Sequence, residues 1–131
     1  MSDTSFELAP RLVVPDGTGD DALAFYATVF ESTATDQAYD GTRLVNGHVQ
    51  IGETLMGVSE ADGSHNQCPP SLGGSAVVLS VDVPDVDAIA ERFLATGGEV
   101  LIPIADRPYG RRDGRLRDPF GHLWILGQPL G

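Results

Sequence analysis

Lysine is absent from this chain, and cysteine is nearly so. Among the 131 residues all 8 basic side chains are arginine, and Cys68 is the single cysteine. Without lysine there can be no lysine Schiff base, P-loop lysine or lysine general base. One cysteine excludes an internal disulfide and a Cys-rich zinc cluster. No apolar run approaches the roughly 20 residues that a membrane-spanning helix needs.

Positive charge is scarce as well. The 8 arginines stand against 19 Asp and Glu side chains, which gives a formal net charge of −11. An acidic surface repels the phosphates of nucleic acids and of anionic lipids, so we expect neither nucleic acid nor a membrane as a partner. Residues 1–5 are polar and lack the apolar stretch of a secretory signal, so we expect a cytoplasmic protein.

The sequence contains the same layout twice. Each copy consists of an apolar strand, then a Val-Pro-Asp stop, then an amphipathic helix. The strands begin at Leu8 and at Ala76, and the stops lie at 14–16 and 83–85. Proline ends strand pairing, and the aspartate after it can cap a helix. Apolar residues spaced i, i+3, i+4, i+7, i+8 predict the two helices. Short strands follow each helix, at about 35–39, 42–51 and 54–58, and at about 99–104, 111–117 and 122–126.

This layout predicts an α+β fold, in which two βαβββ modules in tandem form cupped mixed sheets with helices on the outer faces. A chain of this length suits a single domain, 1–131. Module one covers about 6–58, a linker rich in Gly, Ser, Asn and Pro covers about 59–74, and module two covers about 75–127. The sheet faces opposite the helices are left to enclose a ligand or to pack on each other.

Three strings, at 21–30, 85–88 and 109–124, resemble those of a known family. The last is the most specific, because it contains Asp118-Pro119-Phe120-Gly121-His122 followed by Trp124. The chain resembles the vicinal oxygen chelate superfamily of glyoxalases, extradiol dioxygenases and bleomycin-resistance proteins, and its PhnB-like branch in particular. The resemblance covers nearly the whole chain.

The resemblance implies a test for metal. Catalytic members hold one divalent metal inside the cupped sheet, with His, Glu or Gln ligands on the first and fourth strands of each half. Aligned to this chain, those positions fall near Ala9, Met56 (or its neighbour Gly57), Val78 and Ile125, none of which is a metal-binding side chain. We therefore predict no metal and no other cofactor. A divalent metal displaced toward His48 is the lesser alternative; the other two histidines fall in the linker and in the signature turn.

Arg11 is the most unusual residue of the first strand. It interrupts an apolar segment, and a buried arginine needs an anion or other acceptors to offset its desolvation. It could grip a carboxylate or phosphate of a ligand, or it could pair with Glu7, with an interior carboxylate or across a dimer interface. His48 and Gln50 alternate on one strand, so both could face the same cavity.

Other candidates lie in the second half of the chain and on the fourth strand. Met56, Tyr109 and Trp124 could form apolar or stacking walls of a cavity, although a tryptophan is more often a core residue. Arg112 could stabilise an anion or pair with Asp118. Five arginines fall within 107–117. This segment could be a solvated hairpin or an anion-facing lip on a pocket.

These observations predict a metal-independent small-molecule binding protein of the glyoxalase/bleomycin-resistance type, which sequesters a ligand in the sheet cup. As the resemblance implies, we expect a homodimer whose interface contributes to the ligand clefts. One alternative is an enzyme of the same superfamily (a lyase, isomerase or dioxygenase) with a displaced metal site, in which His48 could be a weak candidate for the general base. Another is a structural or regulatory dimer without a ligand.

Overall fold

The computed structural model describes residues 5–131, which form two four-stranded sheets and three helices. The prediction that the chain has no secretory signal is based on residues 1–5. Of these, residues 1–4 lie outside the described part. The first module consists of β1 (Arg11–Val14), α1 (Gly19–Val29), β2 (Ala34–Asp40), β3 (Arg43–Ile51) and β4 (Thr54–Glu60). The linker holds α2 (Pro69–Leu72), and the second module consists of β5 (Val78–Asp82), α3 (Val86–Ala95), β6 (Glu99–Arg107), β7 (Arg111–Arg117) and β8 (Leu123–Pro129).

The two modules share one topology. The strand orders are β1-β4-β3-β2 and β5-β8-β7-β6. In each sheet the first strand pairs with the fourth in parallel, and the remaining pairs are antiparallel. The predicted α+β fold of tandem βαβββ modules is confirmed.

Several element boundaries differ from those that the sequence predicts, among them the end of β8, which runs on to Pro129. β1 begins at Arg11 instead of Leu8, and Leu8 is exposed. Proline cannot donate a ladder hydrogen bond, and Pro10 takes part only through its carbonyl, which accepts from Gly57 N at 3.0 Å. β6 runs on to Arg107, and the linker forms the short helix α2, with prolines in its first turn.

The two modules meet through their helices. The ring centroids of Phe25 on α1 and Phe93 on α3 are 5.1 Å apart, and Tyr26 packs against Trp124 of the second sheet at 5.8 Å. One hydrophobic core therefore includes both helices and the helix-facing side of both sheets. The opposite face of each sheet points away from this core.

Equivalent residues at the ends of β4 and β8 accept hydrogen bonds from backbone N–H groups at the N-termini of α1 and α3. Glu60 is buried and accepts hydrogen bonds from the backbone N–H groups of Gly17, Gly19 and Leu44, at 2.6, 3.2 and 3.0 Å. Gln128 accepts from Val86 N at the start of α3. Both satisfy helix donors that lack partners within the helix, and the charge of Glu60 also favours the positive end of the helix dipole.

The two Val-Pro-Asp stops behave differently. Asp85 caps α3 as predicted, because its side chain accepts from Ala88 N at 3.2 Å. The predicted cap at Asp16 is wrong: α1 begins after Thr18, which makes no side-chain cap hydrogen bond. Glu60 reaches this helix terminus from the neighbouring strand and leaves Asp16 free to approach Arg43, at 3.7 Å.

Asp118 joins the two modules. Its carboxylate is 3% exposed and accepts from the backbone N–H groups of Phe120 and His122, at 2.9 and 3.0 Å. It also accepts from Trp124 Nε1 at 2.9 Å and from the hydroxyl of Tyr26. Burial raises the pKa of Tyr26 well above its usual value, and the neighbouring Asp118 carboxylate raises it further. The signature turn is thus a structural element that fixes α1 to the second sheet.

Within residues 5–131, no helix is long and apolar enough to cross a membrane. The cytoplasmic location stays a prediction of the sequence.

We expect Tyr26→Phe to lower the free energy of unfolding by about 1.5–3 kcal/mol, because it removes a buried hydrogen bond to a charged acceptor. The matched control is Tyr39→Phe, whose hydroxyl donates to Asp20 at the exposed surface. This control should change stability by no more than about 0.5 kcal/mol. Urea denaturation of the two variants measures both values. Equal losses would contradict the role assigned to Asp118.

Candidate functional site

Arg11 and His48 come together on the outward face of the first sheet. Leu12 and Val14 point into the core, so Arg11 projects to the other side. In the strand register, Gly57 of β4 is the partner of Arg11 in β1 and also of His48 in β3. These three residues therefore form one row across the sheet, with a glycine between two side chains that carry nitrogen donors.

A chain of polar contacts surrounds this row. Arg11 Nη2 donates to Asn46 Oδ1 at 2.9 Å, and Asn46 Nδ2 donates to the carbonyl of Asp36 at 2.9 Å. His48 Nδ1 lies 3.0 Å from Asp36 Oδ2. The guanidinium and the imidazole are thus held on one surface by Asn46 and Asp36. We call these four residues, with Gly57 beneath them, the first-sheet cluster.

Gly57 provides the space in which the arginine lies. A Cβ atom at this position would be 3.0 Å from Arg11 Cζ and 3.1 Å from Arg11 Nη2. The guanidinium therefore lies flat against the bare backbone of β4 and reaches across it to Asn46. Any larger residue at position 57 would have to push Arg11 away.

Asp36 and Asn46 are site residues that the sequence analysis missed. The pairing of β2 with β3 shifts its register between Thr35 and Ala38, and Asp36 has a positive φ of 59°. Such a bulge redirects one side chain, and aspartate tolerates this conformation better than most residues. Regular alternation cannot reveal this placement, and the sequence carried no signal for it.

The expectation that Arg11 is buried is wrong, since the structure exposes it. Its hydrogen-bond partner is the neutral Asn46, and Glu7 does not provide the pairing that we considered. Gln50 is exposed, and its Nε2 donates to Gly52 O at 2.8 Å within the turn that follows β3. Of the predicted ligand-binding residues, Arg11 and His48 are therefore the two that the fold brings together on this face.

Met56 and Trp124 lie elsewhere. They are 1% and 2% exposed and belong to the core, on the opposite side of their strands from the first-sheet cluster. Both border a small pocket of about 210 Å³ at the seam between the sheets. The prediction that Met56 and Trp124 form walls beside Arg11 is wrong, because both side chains point toward the helices and Arg11 points away from them.

Arg112 is a structural residue at the helix side of the second sheet. It donates from Nε and Nη2 to the two carboxylate oxygens of Asp87, at 3.0 and 2.9 Å, and from Nη1 to Asp106 at 3.0 Å. These contacts raise the pKa of Arg112, and the hydrogen bond from Arg112 lowers the pKa of Asp87. The suggested pairing of Arg112 with Asp118 is wrong. The Asp118 carboxylate instead accepts hydrogen bonds from backbone N–H groups of the signature turn and from the side chains of Tyr26 and Trp124.

Tyr109 and most of the arginine-rich segment belong to the second sheet. The Tyr109 hydroxyl lies 3.0 Å from both carboxylate oxygens of Asp113, which also accepts from Arg107 Nε at 3.1 Å. Although Tyr109 is exposed, partial desolvation of its hydroxyl raises its pKa, and the hydrogen bond to Asp113 adds to this effect. The pair borders a pocket of about 260 Å³ on the outward face of that sheet. Tyr109 and Arg11 thus lie on different sheets.

The positions implied for metal ligands carry Ala9, Met56, Val78 and Ile125, and their side chains offer no donor suited to a divalent ion. Of the two candidates on β4, Gly57 faces outward and Met56 faces the core. In the part of the chain that the structure describes, no three His, Cys, Asp or Glu side chains converge as a metal site would require. Among these described residues, His48 has Asp36 beside it but no third such group.

Comparisons with known proteins agree on one family. A sequence profile described as Glyoxalase/Bleomycin resistance protein/Dioxygenase superfamily matches residues 9–126. An uncharacterised protein of Mycobacterium bovis is 37% identical over 129 residues, which cover 94% of this chain and 83% of that protein.

Solved structures share the fold at lower identity. A PhnB protein from Bacillus cereus has a TM-score of 0.71 at 19% identity, with 96% of this chain and 100% of that chain covered. The fosfomycin resistance protein FosX from Listeria monocytogenes, in complex with Mn(II) and sulfate, has a TM-score of 0.69 at 19% identity, with 97% and 92% covered.

We expect Gly57→Ala to separate Arg11 from Asn46, because the new methyl group would occupy the place of the guanidinium. The end of an arginine side chain can move aside, so the free energy of unfolding should change by about 1 kcal/mol or less. The side-chain amide signal of Asn46 in a nitrogen–proton spectrum reports the contact. Asn66 is the one other asparagine and serves as the internal control. An unshifted Asn46 signal would contradict the described geometry.

Proposed function

Because the chain belongs to the glyoxalase/bleomycin resistance protein/dioxygenase superfamily, we propose that it binds and sequesters a small anionic molecule without a metal. The ligand would lie on the outward face of the first sheet and would direct its carboxylate or phosphate group at Arg11. This function uses the residues present at the first-sheet cluster, and it requires none of the metal-binding side chains that the corresponding positions lack.

The observation that carries the proposal is the state of Arg11. Its guanidinium lies on an open face, and the partner it has there is a neutral amide instead of a carboxylate. A guanidinium presents several donors in a planar fork that matches carboxylate and phosphate. Asn46 and Gly57 hold the group in one place, which reduces the entropy lost when a ligand binds.

A homodimer is part of the proposal. β1 and β5 each lie at one edge of their sheet, with a single neighbour. Apolar side chains close to these edges are exposed, among them Leu8, Leu72 and Val77. Unpaired strand edges beside exposed apolar residues favour association with another chain. A second copy on this side could enclose the outward faces and form a cleft around the ligand.

One contact favours an enzyme as the second candidate. Asp36 lies beside His48 Nδ1 and orients the imidazole on the face of the sheet that also carries Arg11. A histidine oriented by a carboxylate is a frequent general base, and a nearby arginine can stabilise the anion that forms. Turnover that depends on His48 would favour this candidate over sequestration.

We expect Arg11→Gln to weaken the binding of small carboxylates and phosphates about tenfold to hundredfold, as the loss of a charge-assisted hydrogen bond implies. A thermal-shift screen of anionic compounds against their neutral amides identifies the ligands, and calorimetry then gives their affinities. Arg43→Gln is the matched control on the same sheet, since Arg43 lies beside Asp16. The proposal fails if Arg11→Gln and Arg43→Gln bind the anions equally well.

Sedimentation measurements test the dimer separately. We expect twice the chain mass of 13.8 kDa. A charge placed at the β5 edge by Val77→Asp should shift the population toward the monomer, because Val77 is exposed and its replacement leaves the core intact. A native chain that sediments as a monomer at high concentration would refute the dimer.

A further inference from the structure

The second sheet carries an arginine that has no counter-ion in the described part of the chain. Seven of the eight arginines have a hydrogen-bond or ion-pair partner, which for Arg11 is Asn46 and for the others includes a carboxylate. Arg115 is the exception within residues 5–131, and its Nε is buried without an acceptor. A buried donor without a partner is uncommon in a folded protein and calls for an explanation.

Arg115 lies in the pocket of about 260 Å³ on the outward face of the second sheet. In the strand register it is flanked by Ile102 of β6 on one side and by Ile125 of β8 on the other. In the first module the corresponding row is Arg11, Gly57 and His48, so Arg115 stands at the position of His48 and Ile125 at that of Gly57, and Ser80 of β5 stands where Arg11 does. In the second row Arg115 is therefore a single cation with an apolar side chain on each side.

The other charges in this pocket are already neutralised. Asp113 is buried and receives Arg107 Nε at 3.1 Å and the Tyr109 hydroxyl at 3.0 Å. Arg107 Nη2 also donates to Asp113 O at 2.9 Å, so this wall is fixed before any ligand arrives. Arg107 and Asp113 neutralise each other, and Tyr109 is protonated. The net charge of the pocket is therefore the single positive charge of Arg115.

We propose that this pocket is a binding site for a small monocarboxylate with a flat apolar body. The carboxylate would accept hydrogen bonds from Arg115, and the apolar body would lie between Ile102 and Ile125. A pocket of this size is slightly below the usual range of about 300–1,000 Å³ for ligand sites, which limits the ligand to roughly one ring. This site is distinct from the first-sheet cluster and does not depend on the function proposed there.

Benzoate is the probe for this site, with benzamide as its neutral isostere and inorganic phosphate as an anion without an apolar body. The chain has five isoleucines, so carbon-labelled isoleucine methyl groups give a spectrum that can be assigned completely. We expect benzoate to shift the methyl signals of Ile102 and Ile125, and to leave those of Ile51 and Ile89 unchanged. Benzamide and phosphate should bind at least about tenfold more weakly than benzoate.

Two variants test the role of the guanidinium. Arg115→Gln should weaken benzoate binding at least about tenfold, because the amide retains bulk and polarity but not the charge. The matched control is Arg117→Gln, two residues further on the same face of β7, where Arg117 pairs with Glu99 at 2.6 Å. It should bind benzoate as the native chain does. Ile102→Ala, at an exposed position, keeps the charge and should weaken binding by removing one apolar wall.

Several results would overturn the proposal. They are an absence of methyl shifts at Ile102 and Ile125 at saturating benzoate, equal binding of benzoate and benzamide, phosphate binding as tight as benzoate binding, or an Arg115→Gln variant that is folded and binds normally. In the same samples, a shift of the Asn46 side-chain amide signal would show that benzoate binds at the first-sheet cluster. Failure of this site and failure of the first-sheet site are therefore observed separately.

Discussion

The carboxylate of Asp118 is the contact on which the arrangement of the two modules depends. It closes the turn before β8 through two backbone hydrogen bonds and receives donors from Tyr26 and Trp124. Tyr26 belongs to the first module, so a carboxylate of the second module determines where α1 packs. A buried charge is costly unless its oxygens are satisfied, and here they are, which makes this one packing of the modules strongly preferred.

This packing decides which surfaces are available for function. Because the helices and helix-facing sides of both sheets share one core, the outward faces of the two sheets are the open ones. The row of Arg11, Gly57 and His48 on the first sheet has its counterpart in Ser80, Ile125 and Arg115 on the second, where Ile102 lies on the other side of Arg115. The two modules share one fold, but their outward faces differ chemically. The face of the first sheet is polar here, and the face of the second sheet carries a cation between apolar side chains.

The arginines illustrate how the same residue type serves separate purposes. Arg112 and Arg117 make ion pairs near the two ends of β7, and Arg107 fixes Asp113 and thereby one wall of a pocket. Among residues 5–131, Arg11 and Arg115 are the arginines without a carboxylate partner, and the two binding proposals rest on them. A sequence rich in acidic residues could have neutralised both, so their isolation on the outward faces comes from the register of the strands.

The sequence by itself determined the fold, because the repeated strand, stop and helix pattern depends on local periodicity, and the string around Asp118 identified the family. It also determined which positions lack metal-binding side chains. Only the tertiary structure decided that Asp36 and Asn46 support the first-sheet cluster, that Met56 and Trp124 are core residues, and that Arg112 is paired while Arg115 is not. These facts follow from a β-bulge, from strand register and from contacts between distant residues, and none of them is encoded in the spacing of neighbouring residues.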